Sequence, residues 1–171
     1  INNGTLTATS TGGSLRFKGA NIINNGTVNP AGSLFFDTTT ALAGSGNFTS
    51  FASLSANANV TLNSAHQMHG IVINAGASFN ISNNHLKLTA SNPITQNGTF
   101  TNVNSKIEYN GTLAQSVSTA NIVYSGLRIN NSAGAVFLGN VTVNDTLSVI
   151  LGSLNLNGKV ITISSTGYLT E

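Results

Sequence analysis

Between Val141 and Leu169 the chain alternates apolar and polar residues in short bursts. Val141 and Val143 form the first, Leu147, Val149 and Leu151 the second, Leu154 and Leu156 the third, and Val160 and Ile163 the fourth. Asn-Asp, Gly-Ser, Asn-Gly and Ser-Ser-Thr-Gly separate them. Period-2 alternation predicts strands with one buried face, and these separators predict tight turns. The bursts recur about every 6 or 7 residues, so three of them close a coil of about 20 residues, within the range of solenoid repeats. Equivalent positions one coil apart are predicted to be Val141 and Val160, and Leu147 and Tyr168. The pattern therefore predicts an all-β fold, a parallel β-helix (β-solenoid) with about 20 residues per coil.

Phrases repeat along the rest of the chain. Ile1-Asn2-Asn3-Gly4-Thr5-Leu6 returns one coil later as Ile23-Asn24-Asn25-Gly26-Thr27-Val28. Looser echoes stand at Gly46–Thr49, Asn97–Phe100 and Asn110–Leu113, and Gly70–Asn74 is matched by Gly126–Asn130. Asn-Gly occurs five times, at Asn3, Asn25, Asn97, Asn110 and Asn157, and both residues tolerate the left-handed backbone that turns a corner. The same dipeptide is a strong hairpin signal, so an antiparallel sandwich is the alternative. The ~20-residue recurrence and the lack of longer strands favour the solenoid. Thr38–Gly46 is expected to be a loop or broad turn, Ser91-Asn92-Pro93 a break, and Ala114–Ala120 a bulged excursion. One array spans residues 1–171, about eight coils stacked ~4.8 Å apart into a rod of roughly 40 Å. Asn at repeated corners would form amide ladders from coil to coil. The chain opens and stops inside repeat-like phrases, which reads as a fragment of a longer repetitive protein.

Composition sharpens this picture. Hydrophobic residues make up 40% and charged residues 6%, so a packed core is expected and helix should be nearly absent. The 26 Asn and 21 Thr against two Asp and four Lys suit turns and strands. The net charge of +2 comes from six cations scattered along the sequence, with no stripe pointing to nucleic acid. Cysteine is absent, which excludes disulfides and thiolate metal sites. There is no apolar run of membrane-spanning length, and no export signal within these residues.

Candidate chemistry is sparse. Glycoside cleavage needs two carboxylates within ~5–9.5 Å. The carboxylates are Asp37, Glu108, Asp145 and Glu171; Asp37 lies more than three coils from Glu108, whereas Glu108 and Asp145 are almost two coils apart, a marginal separation of about 9 Å if they share a side. A groove holding Tyr109 or Tyr124 with them would mark a carbohydrate site. His66 and His69, with His85 about one coil on, form the one candidate for metal or acid-base work, yet no carboxylate or thiolate accompanies them. Ten Asn-x-Ser/Thr sequons follow from the abundance of Asn and Thr. Thr5/Thr7, Thr7/Thr9, Thr38/Thr40 and Thr99/Thr101 resemble the pairs of ice-binding solenoids but do not recur at one register. The sequence thus nominates no catalytic, cofactor-binding or metal-ligating residue.

The segments Lys106–Val117, Tyr124–Gly134, Val141–Leu147 and Gly152–Gly158 carry a resemblance. They resemble repeat regions of large Bacteroidetes-type secreted surface proteins, in which "NGT-x-x-Q" leads to "Y-x-x-L-x-I-N-N-x-x-G" and then "V-x-V-x-x-x-L-x-L-x-x-G-x-L-x-L-N-G". The likeness covers about residues 106 to 167; the first hundred residues resemble it in style only, and are also similar to filamentous-haemagglutinin-like β-helices. It implies type IX export, a place on the bacterial cell surface or in an extracellular filament, and structural rather than catalytic motif residues. The expected function is a structural and adhesive segment without catalysis, its partners neighbouring solenoid segments or copies of itself end to end, and surface glycans. A carbohydrate-binding or carbohydrate-cleaving β-helix is the alternative, and an ice-binding solenoid the third.

Overall fold

The computed structural model describes residues 1–8, 13–49, 54–119 and 122–171. These contain strands and turns and no helix. Every strand pairing is parallel, and the strands make eight three-sided coils and begin a ninth. The antiparallel sandwich is thereby excluded.

One side of the solenoid is a continuous nine-stranded sheet. Its strands are Thr5–Ala8, Thr27–Pro30, Asn47–Phe48, His66–Met68, His85–Leu88, Lys106–Tyr109, Gly126–Asn130, Thr146–Leu151 and Tyr168–Thr170. Along it, each residue's partner lies one coil further on: Thr27 meets Asn47, Lys87 meets Glu108, and Ser148 meets Thr170. The other two sides are each split into a five-stranded and a three-stranded sheet. The second side steps unevenly, with a short coil from Leu54 to Ile71 and a long one from Ile71 to Ile94.

Inward-facing residues stack coil on coil. Val28, Phe48, Met68, Leu88, Tyr109 and Ile129 form one such row and are almost fully buried. Aromatic steps reinforce the other sides, with Phe17 and Phe36 stacked at 5.4 Å between centroids. Each buried side chain of this size contributes about 1.5–3 kcal/mol. At the two ends the inward rows are open: Leu6 is 37% exposed and Leu169 53%.

The corners carry the expected amide ladders. Asn2 Nδ2 donates to the Oδ1 of Asn24 at 2.8 Å, and Asn25 Nδ2 to Asn3 Oδ1 at 3.0 Å, so the Ile1–Leu6 and Ile23–Val28 phrases are stacked in register. The ladder ends at Gly46, where a Cβ would stand 2.7 Å from Asn24 Nδ2 and 2.2 Å from Gly26 O. A second ladder runs from Asn74 through Asn57 to Asp37, at 2.6 and 2.7 Å.

Several expectations need correction. Thr38–Gly46 is not a loop, because Thr40–Ala43 is a strand whose Leu42 is buried. Within Ala114–Ala120, Gln115–Val117 is likewise a strand of the coil; Ala120 lies outside the described residues. The other Asn-Gly phrases occupy different corners: Asn97-Gly98 precedes a third-side strand, whereas Asn110-Gly111 follows a strand of the nine-stranded sheet. Gly70–Asn74 and Gly126–Asn130 also lie on different sides. Val141 pairs with Ile161, not Val160, and Leu147 with Leu169, not Tyr168. Because side chains alternate, that one-residue slip separates an inward position from an outward one.

The break at Ser91-Asn92-Pro93 is real. Both split sides part after the fifth coil, so Ile94–Gln96 does not pair with Gln115–Val117. Proline has no N–H to offer a ladder, and the strand that follows drops back to an earlier partner, Ser116 N–H donating to Ser91 O at 2.7 Å. Gln115 closes the seam from inside the protein. Its Nε2 donates to Leu88 O at 3.0 Å and Ala90 O at 2.8 Å, and its Oε1 accepts from Gly111 N at 2.7 Å and Asn131 Nδ2 at 2.9 Å.

Candidate functional site

The outer face of the nine-stranded sheet collects the chain's charge. In-register pairing sets Gln67, Lys87, Glu108, Arg128 and Ser148 in one outward row, one residue per coil. Beside it runs a second outward row containing His85, Lys106 and Gly126. Three of the six cations scattered through the sequence therefore surround a single carboxylate. This clustering corrects the reading of dispersed charge.

Glu108 sits at the centre and is only 1% exposed, although it points outward. The flanking long side chains cover it. Asn130 Nδ2 donates to its Oε1 at 2.8 Å. His85 Nε2 stands 2.9 Å from its Oε2, and Arg128 Nε 3.6 Å from the same oxygen. Neither contact has full hydrogen-bond geometry: His85 Nε2 is close but not aligned, and Arg128 Nε stands slightly too far. Burial alone would raise the carboxyl pKa. The contacts from His85 and Asn130, with the charge of Arg128, outweigh it and hold the group at about 2. Glu108 is thus an ionised carboxylate held by Asn130, His85 and Arg128.

The ammonium groups of Lys87 and Lys106 have no ion-pair or hydrogen-bond partner among the described residues. Two depressions meet at His85. One of about 160 Å3 lies towards Gln67 and Lys87, the other of about 630 Å3 towards Lys106 and Gly126.

The structure separates the other candidates. His66 faces inward, 3% exposed, with Nδ1 3.1 Å from Gly46 O and Nε2 3.1 Å from Ser64 Oγ, and burial lowers its pKa. His69 meets Thr89 Oγ1 at 3.3 Å, so His85 does not stack on it. No three His, Asp or Glu side chains converge among the described residues. Asp145 is exposed at the corner before Thr146, two strands along and three residues across from Glu108, a separation of about 14 Å from strand geometry. That is too far for a paired-carboxylate mechanism. Asp37 is held by Arg16 and Asn57, which lower its pKa, and Arg16 also lies 4.4 Å over the ring of Phe35.

Tyr109 and Tyr124 are fully buried rather than lining a groove. Their hydroxyls meet at 2.7 Å; Tyr109 Oη accepts from Ser118 N at 3.0 Å and Tyr124 Oη donates to Ser118 O at 2.6 Å. The pair pins the turn that follows Val117 to the core. Thr5 stacks on Thr27 and Thr142 on Thr162, each a single step, so the described residues form no flat Thr face; Thr9 lies outside them.

The Lys87, Glu108, Arg128 row had a signal in the sequence. Their spacings match the predicted coil of about 20 residues, so the repeat alone superposes them. Comparison with protein-family models, with curated proteins and with solved structures returned no match.

Proposed function

We propose that this chain is a structural and adhesive segment of an extracellular surface protein or filament, supplying reach and stiffness rather than catalysis. The observation that carries the reading is the uninterrupted nine-stranded parallel ladder, which stacks coil on coil into a rod. Leu6 at one end, and Leu156 and Leu169 at the other, leave apolar rows 37–53% exposed that elsewhere in the rod are buried. The terminal strands also present unpaired backbone edges. Another coil of the same geometry, from a neighbouring segment or a second copy, satisfies both at once by strand addition. The resemblance of residues 106–167 to secreted surface repeats supports the same location, at the bacterial cell surface.

The test is assembly. Sedimentation and electron microscopy over a concentration series should show rods that lengthen in steps of roughly 40 Å, one solenoid length. Leu169→Lys should arrest that growth by placing a charge in the end row. Single rods at every concentration in the unaltered chain would refute end-to-end packing.

A further inference from the structure

We propose that the trough on the outer face of the nine-stranded sheet binds a linear acidic polysaccharide, laid along the rod axis with its anionic groups against Lys87, Lys106 and Arg128. This rests on the adhesive reading above and names the class of ligand. The floor of the trough is the outward row through His85, Lys106 and Gly126, with Ala65 before it; the small residues at either end leave the two depressions that meet at His85. On one side runs the adjacent outward row Gln67, Lys87, Glu108 and Arg128, spaced one coil apart, of which Gln67 and Lys87 line the smaller depression; the larger one opens on the other side, towards the corner at Asn104 and Asn144.

The charge in this trough is unbalanced. Glu108 pairs with Arg128, Lys87 and Lys106 have no partner among the described residues, and Asp145 at the end of the larger depression leaves the three permanent cations one in excess of the carboxylates. The Nε of Arg128 and the Nε2 of His85 are buried against Glu108. Arg128 approaches Glu108 through Nε, leaving its two terminal nitrogens for an external anion in the forked geometry that suits carboxylate or sulfate. Lys87 and Arg128 stand two strands apart, about 10 Å, so successive acidic groups of an extended chain along the axis would meet successive cations.

The geometry selects a glycan over other polyanions. A peptide would gain affinity by pairing with a free strand edge, and here the sheet backbone is already paired on both sides. Single-stranded nucleic acid needs aromatic platforms, and the trough offers only the imidazoles of His85 and His66, with no Phe, Tyr or Trp. Neutral sugars would likewise want aromatic stacking, which leaves charge to drive recognition. Asp145 at the far end of the larger depression repels an anion and limits the bound stretch to the coils before it.

The experiment is biolayer interferometry of the chain against immobilised polygalacturonate, its methyl ester, heparin, poly-glutamate and single-stranded DNA. Binding to polygalacturonate or heparin is expected, steeply weakened by salt and lost on esterification of the former. Polygalacturonate alone would identify carboxylates as the recognised groups, and heparin alone would identify sulfates. Lys87→Gln and Lys106→Gln should each weaken binding roughly tenfold, the loss of one charged contact. Lys18→Gln and Lys159→Gln, outside the trough, should leave it unchanged. Because Arg128→Gln disturbs Glu108, the exposed lysine variants decide the matter. No binding to either acidic glycan, equal binding by the Lys87→Gln/Lys106→Gln double variant, or equal binding to poly-glutamate or DNA would overturn the proposal. Rod assembly followed on the same samples is independent of this result, so loss of glycan binding with intact assembly refutes the trough and leaves the structural reading standing.

Discussion

Protonating Glu108 should loosen the rod, by an amount its surroundings set. The group titrates at about 2 in the folded chain against a reference value of 4.5. A depressed folded pKa means that the ionised form is the one folding favours. The contribution is fully present above about pH 4.5 and fades as pH falls towards about pH 2. At ~1.36 kcal/mol per pH unit the full difference corresponds to about 3 kcal/mol. The partners, His85 and Arg128, keep 28% and 31% of their side chains in solvent, and screening there trims the figure to about 2 kcal/mol. The assay is the urea midpoint followed by far-ultraviolet circular dichroism, at a series of pH values from about 6 to about 2. Wild type should lose stability across that window, while Glu108→Gln should start lower and fall less steeply, its remaining slope coming from the buried His66, whose lowered pKa costs stability as pH drops below about 6.5. Asp37 titrates in the same direction because Arg16 and Asn57 hold its pKa down, so the comparison is made on an Asp37→Asn background. A Glu108→Gln chain with the same pH slope as its parent would refute the reasoning.

Two further outcomes follow from the buried polar groups. Gln115→Met keeps the volume but strands Leu88 O, Ala90 O, Gly111 N–H and the Asn131 amide; it should cost about 3 kcal/mol and accelerate amide exchange first around the fifth and sixth coils, and unchanged exchange there would refute the seam. In alkali, Tyr109 should resist ionisation because burial raises its pKa to about 12, and Tyr124 shifts the same way, so the stability they provide is present below about pH 10 and lost as pH climbs further; early phenolate absorbance from both, read against Tyr109→Phe and Tyr124→Phe, would refute the closed hydroxyl network.

Much of this architecture is legible locally. Alternation within Val141–Val143 and Leu147–Val149 is enough to say which residues face inward, and Asn-Gly or Gly-Ser between them is enough to say that the chain turns. The recurrence of Ile1–Leu6 at Ile23–Val28 even fixes a register, because the two copies fall one coil apart and the amides of Asn2 and Asn24 bond across it. Pro93 announces its own break by lacking a ladder donor.

What the chain does not reveal residue by residue is where a coil of variable length lands. A short step between Leu54 and Ile71, then a long one to Ile94, shifts the register without changing any local pattern. The bulge that leaves Ile150 unpaired moves Leu151 opposite Asn130. Only backbone pairing between coils decides such steps, and a slip of one residue exchanges the two faces of the strand. Hence periodicity selects Val160 where pairing selects Ile161, and small polar residues suggest a loop where Thr40–Ala43 is a strand. The same cause hides the charge cluster. Lys87, Glu108 and Arg128 are far apart along the chain and become neighbours at strand spacing once the ladder closes. Sequence determined that this chain coils and that its strands alternate inward and outward; tertiary pairing decided which side chains meet.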